Sequence, residues 1–279
     1  MASLFDELRE HGLITKDVPV INCNTVKSYL SVLNRDTTRD RKEVTLAHGS
    51  KHNALLLTKK DYPCVRPPFE ECFFESKFDL EYNDDFGGRK WGAFITTRDT
   101  LVEAVFFIGL LPLAMSSQWK FNDFGTMQDA YPVYYGEEPD GSPNIRRDLL
   151  MSSYMSGTIW VTISFMHCKK QTKLIEHVPP EKVQRKRIKN NKPPLTKYYT
   201  LDIEPLKEIL RTEGRVHEVG LPKALHICRG HFKDYSQGKG LFGKYKGLYW
   251  WDSHIRGNEG AGTVIKDYAV KLPEVEGFN

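Results

Sequence analysis

The sequence predicts an α+β protein, a mixed N-terminal region followed by a small β-rich C-terminal domain. Three observations carry that reading. Short β-branched and aromatic runs recur along the chain, bounded by Gly, Pro, Asn and Asp. Helical patterns are few, and the clearest is short. Residues 225–257 read as strand, glycine-rich loop, strand, with Gly238, Gly240, Gly243 and Gly247 in the middle.

Taken in order, residues 3–13 form an amphipathic helix with Leu4, Phe5, Leu8 and Leu13 on one side and Gly12 near its end. Val18 to Asn22 reads as a strand and Thr25 to Leu33 as a second short helix. A charged loop over 34–42 precedes short apolar runs at 44–46 and 54–58. Tyr62 to Pro68 is proline-rich and extended. Residues 70–85 gather seven Asp or Glu, an acidic pole read as a solvated face or a cradle for the chain's own basic segment. Ala93 to Thr97 suits a strand. Thr100 to Met115 reads as a buried helix ending near Pro112. The run 118–136 holds Tyr131, Tyr134 and Tyr135, which either stack on bases or pack a loop on the core. From Arg146 the chain reads as helix, and over 158–166 as strand or buried helix end.

Composition shifts at residue 169. The expected domains are 1–168, a basic proline-bracketed connector over 169–197, and 198–279. The connector holds ten Lys or Arg against Glu176 and Glu181, a local balance of +8 in a chain of net charge +4. Pro179-Pro180 and Pro193-Pro194 bracket a helical stretch. In it Lys182, Arg185, Lys186 and Lys189 recur at three- and four-residue spacing, with Arg187 beside them. Such a face neutralises phosphates, so these five residues are the expected nucleic-acid contacts. Beyond it, 198–203 suits a strand and 205–212 a short helix.

The C-terminal strand–loop–strand carries Arg229-Gly230-His231 on one arm and His254-x-Arg256-Gly257 on the other. If the arms pair so that His231 and His254 converge, they are the acid and base that metal-independent RNA cleavage needs. Arg229, Lys233 and Arg256 would then hold the phosphate. The same cations can bind phosphate without reaction, or the residues can serve strand pairing alone. Register decides, and a one-residue slip reverses the face of every side chain. Zinc on His226, Cys228, His231 and His254 is disfavoured, because the spacing is non-standard and Arg229 stands inside it. No metal or cofactor is expected.

Five cysteines without close pairs suggest free thiols, and with no signal-like N-terminus they point to the cytoplasm. The apolar run 101–115 is interrupted by Glu103 and Pro112, so no membrane span is expected. The order of PPEKVQRKRIKNNKPPLTKYYTLDI, ALHICRGHFKDY and GLFGKYKGLYWWDSHIRG resembles a family of uncharacterised proteins from bacteria, phages and mobile elements. The likeness covers residues 165–270. It implies a mobile-element or host–phage setting and no reaction type; toxin-type ribonucleases are a looser analogy. The expected function is RNA-favouring nucleic-acid binding, with endoribonuclease activity as an extension. The alternatives are a non-catalytic regulator that binds a host or phage protein, and a nucleotide-phosphate binder.

Overall fold

The computed structural model describes residues 3–26, 41–45, 51–55, 62–78, 88–135, 143–168, 172–203, 224–228, 230–241, 243–251, 254–256 and 258–263. Backbone alone is described for 41–45, 51–55, 143–146, 150, 224–228, 254–256 and 258–263. Both helices and a large mixed sheet are present, so the α+β class holds.

The first helix, α1 (Leu4–Glu10), starts at a capping box. The Ser3 hydroxyl accepts from the Asp6 N–H, and the Asp6 carboxylate accepts from the Ser3 N–H. It ends before Gly12 at φ 71°, a left-handed position that favours glycine. Leu4, Phe5 and Leu8 are buried, whereas Leu13 is half exposed, outside the apolar stripe that the spacing assigned to it. Next come β1 (Val20–Asn22) and one 3-10 turn over Asn24–Val26, the only described part of the expected second helix.

After a small hairpin of β2 (Arg41–Thr45) and β3 (Lys51–Leu55), the chain lays down β4 (Glu71–Lys77), β5 (Lys90–Arg98), β6 (Leu101–Ile108), β7 (Leu111–Phe121) and β8 (Met127–Tyr134) as an antiparallel meander. The helix expected over 100–115 is therefore two strands. Val102, Ala104 and Phe106 face one side, and Val105 and Phe107 the other. Both faces are covered, so apolar residues stand on each and, Glu103 apart, the period of two is masked. Gly109, at φ 58°, makes the tight turn that the pattern concealed.

The long helix α2 (Pro143–Met166) resolves the ambiguity over 158–166 in favour of helix. By length and composition Arg147–Met166 is apolar enough to cross a bilayer, yet 76% of that window is buried inside the protein. Met155, Ile159 and Ile163 pack on Ile21, Phe74, Trp91, Ala93 and Trp119 of the sheet. Two of its threonines bond back along the helix: Thr158 donates to the Tyr154 carbonyl at 2.9 Å and Thr162 to the Thr158 carbonyl at 2.7 Å, while Ser164 donates to the Cys64 carbonyl at 2.8 Å.

The expected connector returns to this sheet. It supplies β9 (Thr172–His177) and α3 (Glu181–Lys189), and β10 (Tyr198–Ile203) follows. The eight strands run β8-β7-β6-β5-β4-β1-β10-β9, with β1 parallel to both neighbours. One face is covered by α2. On the other, α1 sits over Val20, Phe73 and Phe107. The helix read over 205–212 and the acidic residues 79–85 lie outside the described residues. Glu70, Glu71 and Glu75 of the acidic pole are placed, and Glu70 is exposed as a solvated face requires. Glu71 pairs with Lys16 at 2.5 Å, and Glu75 is buried under α1 rather than solvated.

Gly92 shows how tightly that second face is packed. A Cβ there would run into the buried Phe73 ring and lie 3.1 Å from the Phe74 carbonyl oxygen. Gly92→Ala should cost about 1–3 kcal/mol by overpacking, read as a lower urea midpoint. An unchanged midpoint would mean the Phe73 ring has room to move.

Candidate nucleic-acid interface

Helix α3 has no buried residue, so core packing does not hold it. Pro180 precedes it, Glu181 stands in its first turn, and Lys186, Arg187 and Lys189 stand in its last, each sign matched to the helix dipole. Asn191 at φ 55° turns the chain out. The returning loop is then bonded back. Gln184 exchanges two hydrogen bonds with Leu195, both at 2.8 Å, and Arg187 Nε donates to the Pro193 carbonyl at 2.8 Å. The loop also docks on α1: the Thr196 N–H donates to Asp6 at 2.7 Å, and Arg9 donates to the Thr196 hydroxyl at 2.8 Å.

These contacts sort the five expected cations. At 3.6 residues per turn, Lys182, Arg185, Lys186 and Lys189 fall within about 100° of one another, along roughly 10 Å of helix. All four are exposed. Arg185 pairs with Glu181 at 2.5 Å, but both side chains are about three-quarters exposed, so water screens the pair. Among the described residues, Lys182, Lys186 and Lys189 have no ion pair. Arg187 points the other way. Its side chain is 15% exposed, and the guanidinium donates to Glu10 at 3.0 Å. Lys192, which the sequence reading did not single out, holds the other oxygen of Glu10 at 2.5 Å. These bonds, that of Lys192 foremost, keep the Glu10 carboxyl below its ordinary range. No sequence signal marks Glu10, since it reaches α3 from 177 residues away.

The C-terminal histidines lie on a hairpin, as the glycine-rich centre suggests, but each arm is two strands. These are β11 (Ala224–Cys228) and β12 (His231–Asp234), then β13 (Leu248–Trp251) and β14 (His254–Arg256); β15 (Asn258–Thr263) adds to β11. His231 stands opposite Trp251, and Lys233 opposite Tyr249. His254 stands opposite Cys228, and Arg256 opposite His226. His231 and His254 are therefore not cross-strand neighbours. The two ladders belong to separate sheets, β12 with β13 and β11 with β14 and β15. Arg229 lies outside the described residues, and His254 and Arg256 are placed by backbone alone.

The described half of the hairpin has an inner and an outer face. Phe232 and Trp250 face inward onto Phe165 of α2, with ring centroids 4.8–5.1 Å apart. His231 and Lys233 are exposed, and Lys233 Nζ sits 5.1 Å over the Tyr235 ring. The glycine-rich loop is folded, not open. Leu241 bridges to Tyr245, and both pack over buried Tyr249.

Of the three tyrosines raised as stacking candidates, Tyr134 packs beside Met115 and Leu149. Tyr131 and Tyr135 are exposed near the sheet edge, where the Tyr135 hydroxyl donates to Glu103 at 2.9 Å. The four described cysteine side chains, Cys23, Cys64, Cys72 and Cys168, are free and buried. Burial pushes the Cys64, Cys72 and Cys168 thiols up, away from the reactive thiolate. No group of three or more metal-ligating side chains occurs among the described residues. Compared with known proteins, the chain matches no family model, no curated protein and no solved structure.

Proposed function

We propose that this protein binds nucleic acid, single-stranded RNA ahead of duplex DNA, through the outer face of α3. The observation that supports this is the lysine stripe of Lys182, Lys186 and Lys189, with Arg185 on its edge, on a helix held from behind by Gln184 and Arg187. The anchoring leaves the stripe free to meet phosphates at little ordering cost. Val183 and Ile188 flank it and are 40% and 59% exposed. Unpaired bases gain from such apolar neighbours, whereas a duplex keeps its bases stacked inside. Cleavage by His231 and His254 forms no part of the proposal, since His231 pairs with Trp251 and His254 with Cys228, in separate sheets. A phage or mobile-element setting rests on the resemblance over residues 165–270 alone. A reducing cytoplasm fits the free buried thiols.

The test is salt dependence. Labelled oligo(U) binding, followed by anisotropy across a salt series, should weaken steeply as salt rises. In the Lys182→Gln, Lys186→Gln, Lys189→Gln variant the slope should fall by up to about 2, at ~0.7 per phosphate on a single strand. Stability should stay within about 0.5 kcal/mol, since the three side chains are exposed. An unchanged slope removes α3 from the interface.

A second reading is favoured by β9, the edge strand beside α3, where Leu174 and Ile175 are each 44% exposed. An open, partly apolar edge suits strand addition by a protein partner. That partner would bind with a shallow salt dependence and survive the triple lysine change.

A further inference from the structure

We infer that Arg187 and Lys192 form a phosphate subsite which Glu10 fills in the free protein, so that α1 supplies an internal counterion which nucleic acid displaces. The inference rests on the α3 reading above and extends it from the lysine stripe to the base of the helix.

The geometry is that of an anion held between two cations. One Glu10 oxygen accepts from Arg187 Nη2 at 3.0 Å, and the other from Lys192 Nζ at 2.5 Å. The guanidinium is set in place by its second bond, Arg187 Nε to the Pro193 carbonyl at 2.8 Å, which does not involve Glu10. The two cations are therefore positioned by the chain after α3, and the carboxylate comes to them from another element. A phosphate presents the same pair of oxygen acceptors to a guanidinium fork and an ammonium. The Lys192 side chain is 50% exposed and that of Glu10 28%, so an incoming anion can reach the pair from solvent. α1 does not depend on Glu10 for its place. It is held by Leu4, Phe5 and Leu8 in the core, by Asp6 on the Thr196 N–H, and by Lys90 on Glu7 at 2.5 Å. Glu10 can thus let go while the helix stays docked.

The exchange has a thermodynamic signature. Where a phosphate replaces a salt anion, that ion is released and the affinity gains salt dependence. Where it replaces Glu10, no salt ion is released. Binding to the wild-type subsite is then weakened by competition and adds little to the slope. Removing the carboxylate converts the subsite into an ordinary one.

The experiment uses the full chain with labelled oligo(U) across a salt series. Glu10→Gln should bind up to about fivefold tighter at low salt, the range of an exposed ion pair. Its salt slope should be steeper by ~0.7, one more phosphate on a single strand. Adding Lys192→Gln to that variant should remove both gains. In the wild-type background Lys192→Gln should weaken binding, a readout that stands even if Glu10→Gln fails to fold. The inference is overturned if Glu10→Gln folds and binds with unchanged affinity and slope while the triple lysine variant has lost binding; α3 would then be the interface and Glu10 only a clasp. It is also overturned, together with the α3 reading, if the triple lysine variant binds like wild type.

Discussion

Trp250→Ala should destabilise the protein by about 3–5 kcal/mol, the usual cost of emptying a large aromatic site in a core. Trp250 is fully buried and its ring meets Phe165 at 5.1 Å and Phe232 at 4.8 Å. These three rings join the last turn of α2 to both arms of the C-terminal hairpin, which lie 67 and 85 residues further along the chain. Cys168 bridges to Leu248 just beyond the helix, and Leu248 is itself buried. Truncating Trp250 therefore opens a cavity where the hairpin meets the main core, and neighbours on a helix end and a two-stranded ladder can fill it only in part. Its contrast is His231→Ala, one ladder position away on the outer face, which should change stability by about 0.5 kcal/mol or less. Urea unfolding of both variants decides the matter. A loss below about 1 kcal/mol for Trp250→Ala would mean that the hairpin is held elsewhere. The contrast also bears on function. A binding defect in a Trp250 variant would reflect lost structure, whereas one in His231→Ala would mark the outer face as a second contact surface.

The parts of the fold that sequence could reach were those whose signal is local. The Leu4–Phe5–Leu8 stripe and Gly12 lie within nine residues, and α1 formed there, shorter than the 3–13 expected and without Leu13. The glycine-rich centre likewise announced a hairpin. What stayed hidden depended on partners distant in sequence. Residues 101–108 looked helical because α1 and α2 cover the two faces of β6, which erases the apolar–polar alternation of an ordinary strand. The β-branched run TIWVTIS favours a strand by propensity alone, yet burial against the sheet made it helix. The register of the C-terminal arms lay beyond sequence too, since glycine-rich loops do not dictate pairing. In α3 the spacing did contain the answer for one residue. Arg187 is 140° from Lys182 at 100° per residue, off the lysine stripe, and the structure turns it toward Pro193 and Glu10. Glu10 itself was not legible, because nothing near it in the chain refers to α3.

Between pH 4.5 and about 6 the protein should lose stability as pH rises, because of one buried carboxyl. Glu75 is 6% exposed, under α1, and accepts from the Phe5 N–H at 3.3 Å. Burial pushes its pKa up from 4.5 to about 6, against the lowering pull of the α1 N–H groups and of Lys90. The native state thus holds this proton more tightly than the unfolded chain does. Below pH 4.5 both states are protonated and nothing is lost. Through the window the unfolded chain ionises first, so stability falls with rising pH. Above about pH 6 the full penalty of burying the charge stands, about 2 kcal/mol. Glu10 and Glu176 act in the opposite sense. Bonds from Lys192 and Lys197 respectively hold their carboxyls low, so their contribution is present above the ordinary carboxyl value and is lost as pH falls through their depressed values. The two trends run in opposite directions with pH. Glu75→Gln separates them, because the amide oxygen still accepts from the Phe5 N–H but carries no charge to desolvate. The variant should be more stable than wild type at pH 7.5 by up to about 2 kcal/mol, and the two curves should meet near pH 4.5. Denaturant midpoints measured from pH 4 to 8 give the answer. A difference that stays constant across that range would show that the side chain's shape, not its ionisation, sets the stability of the α1 seat.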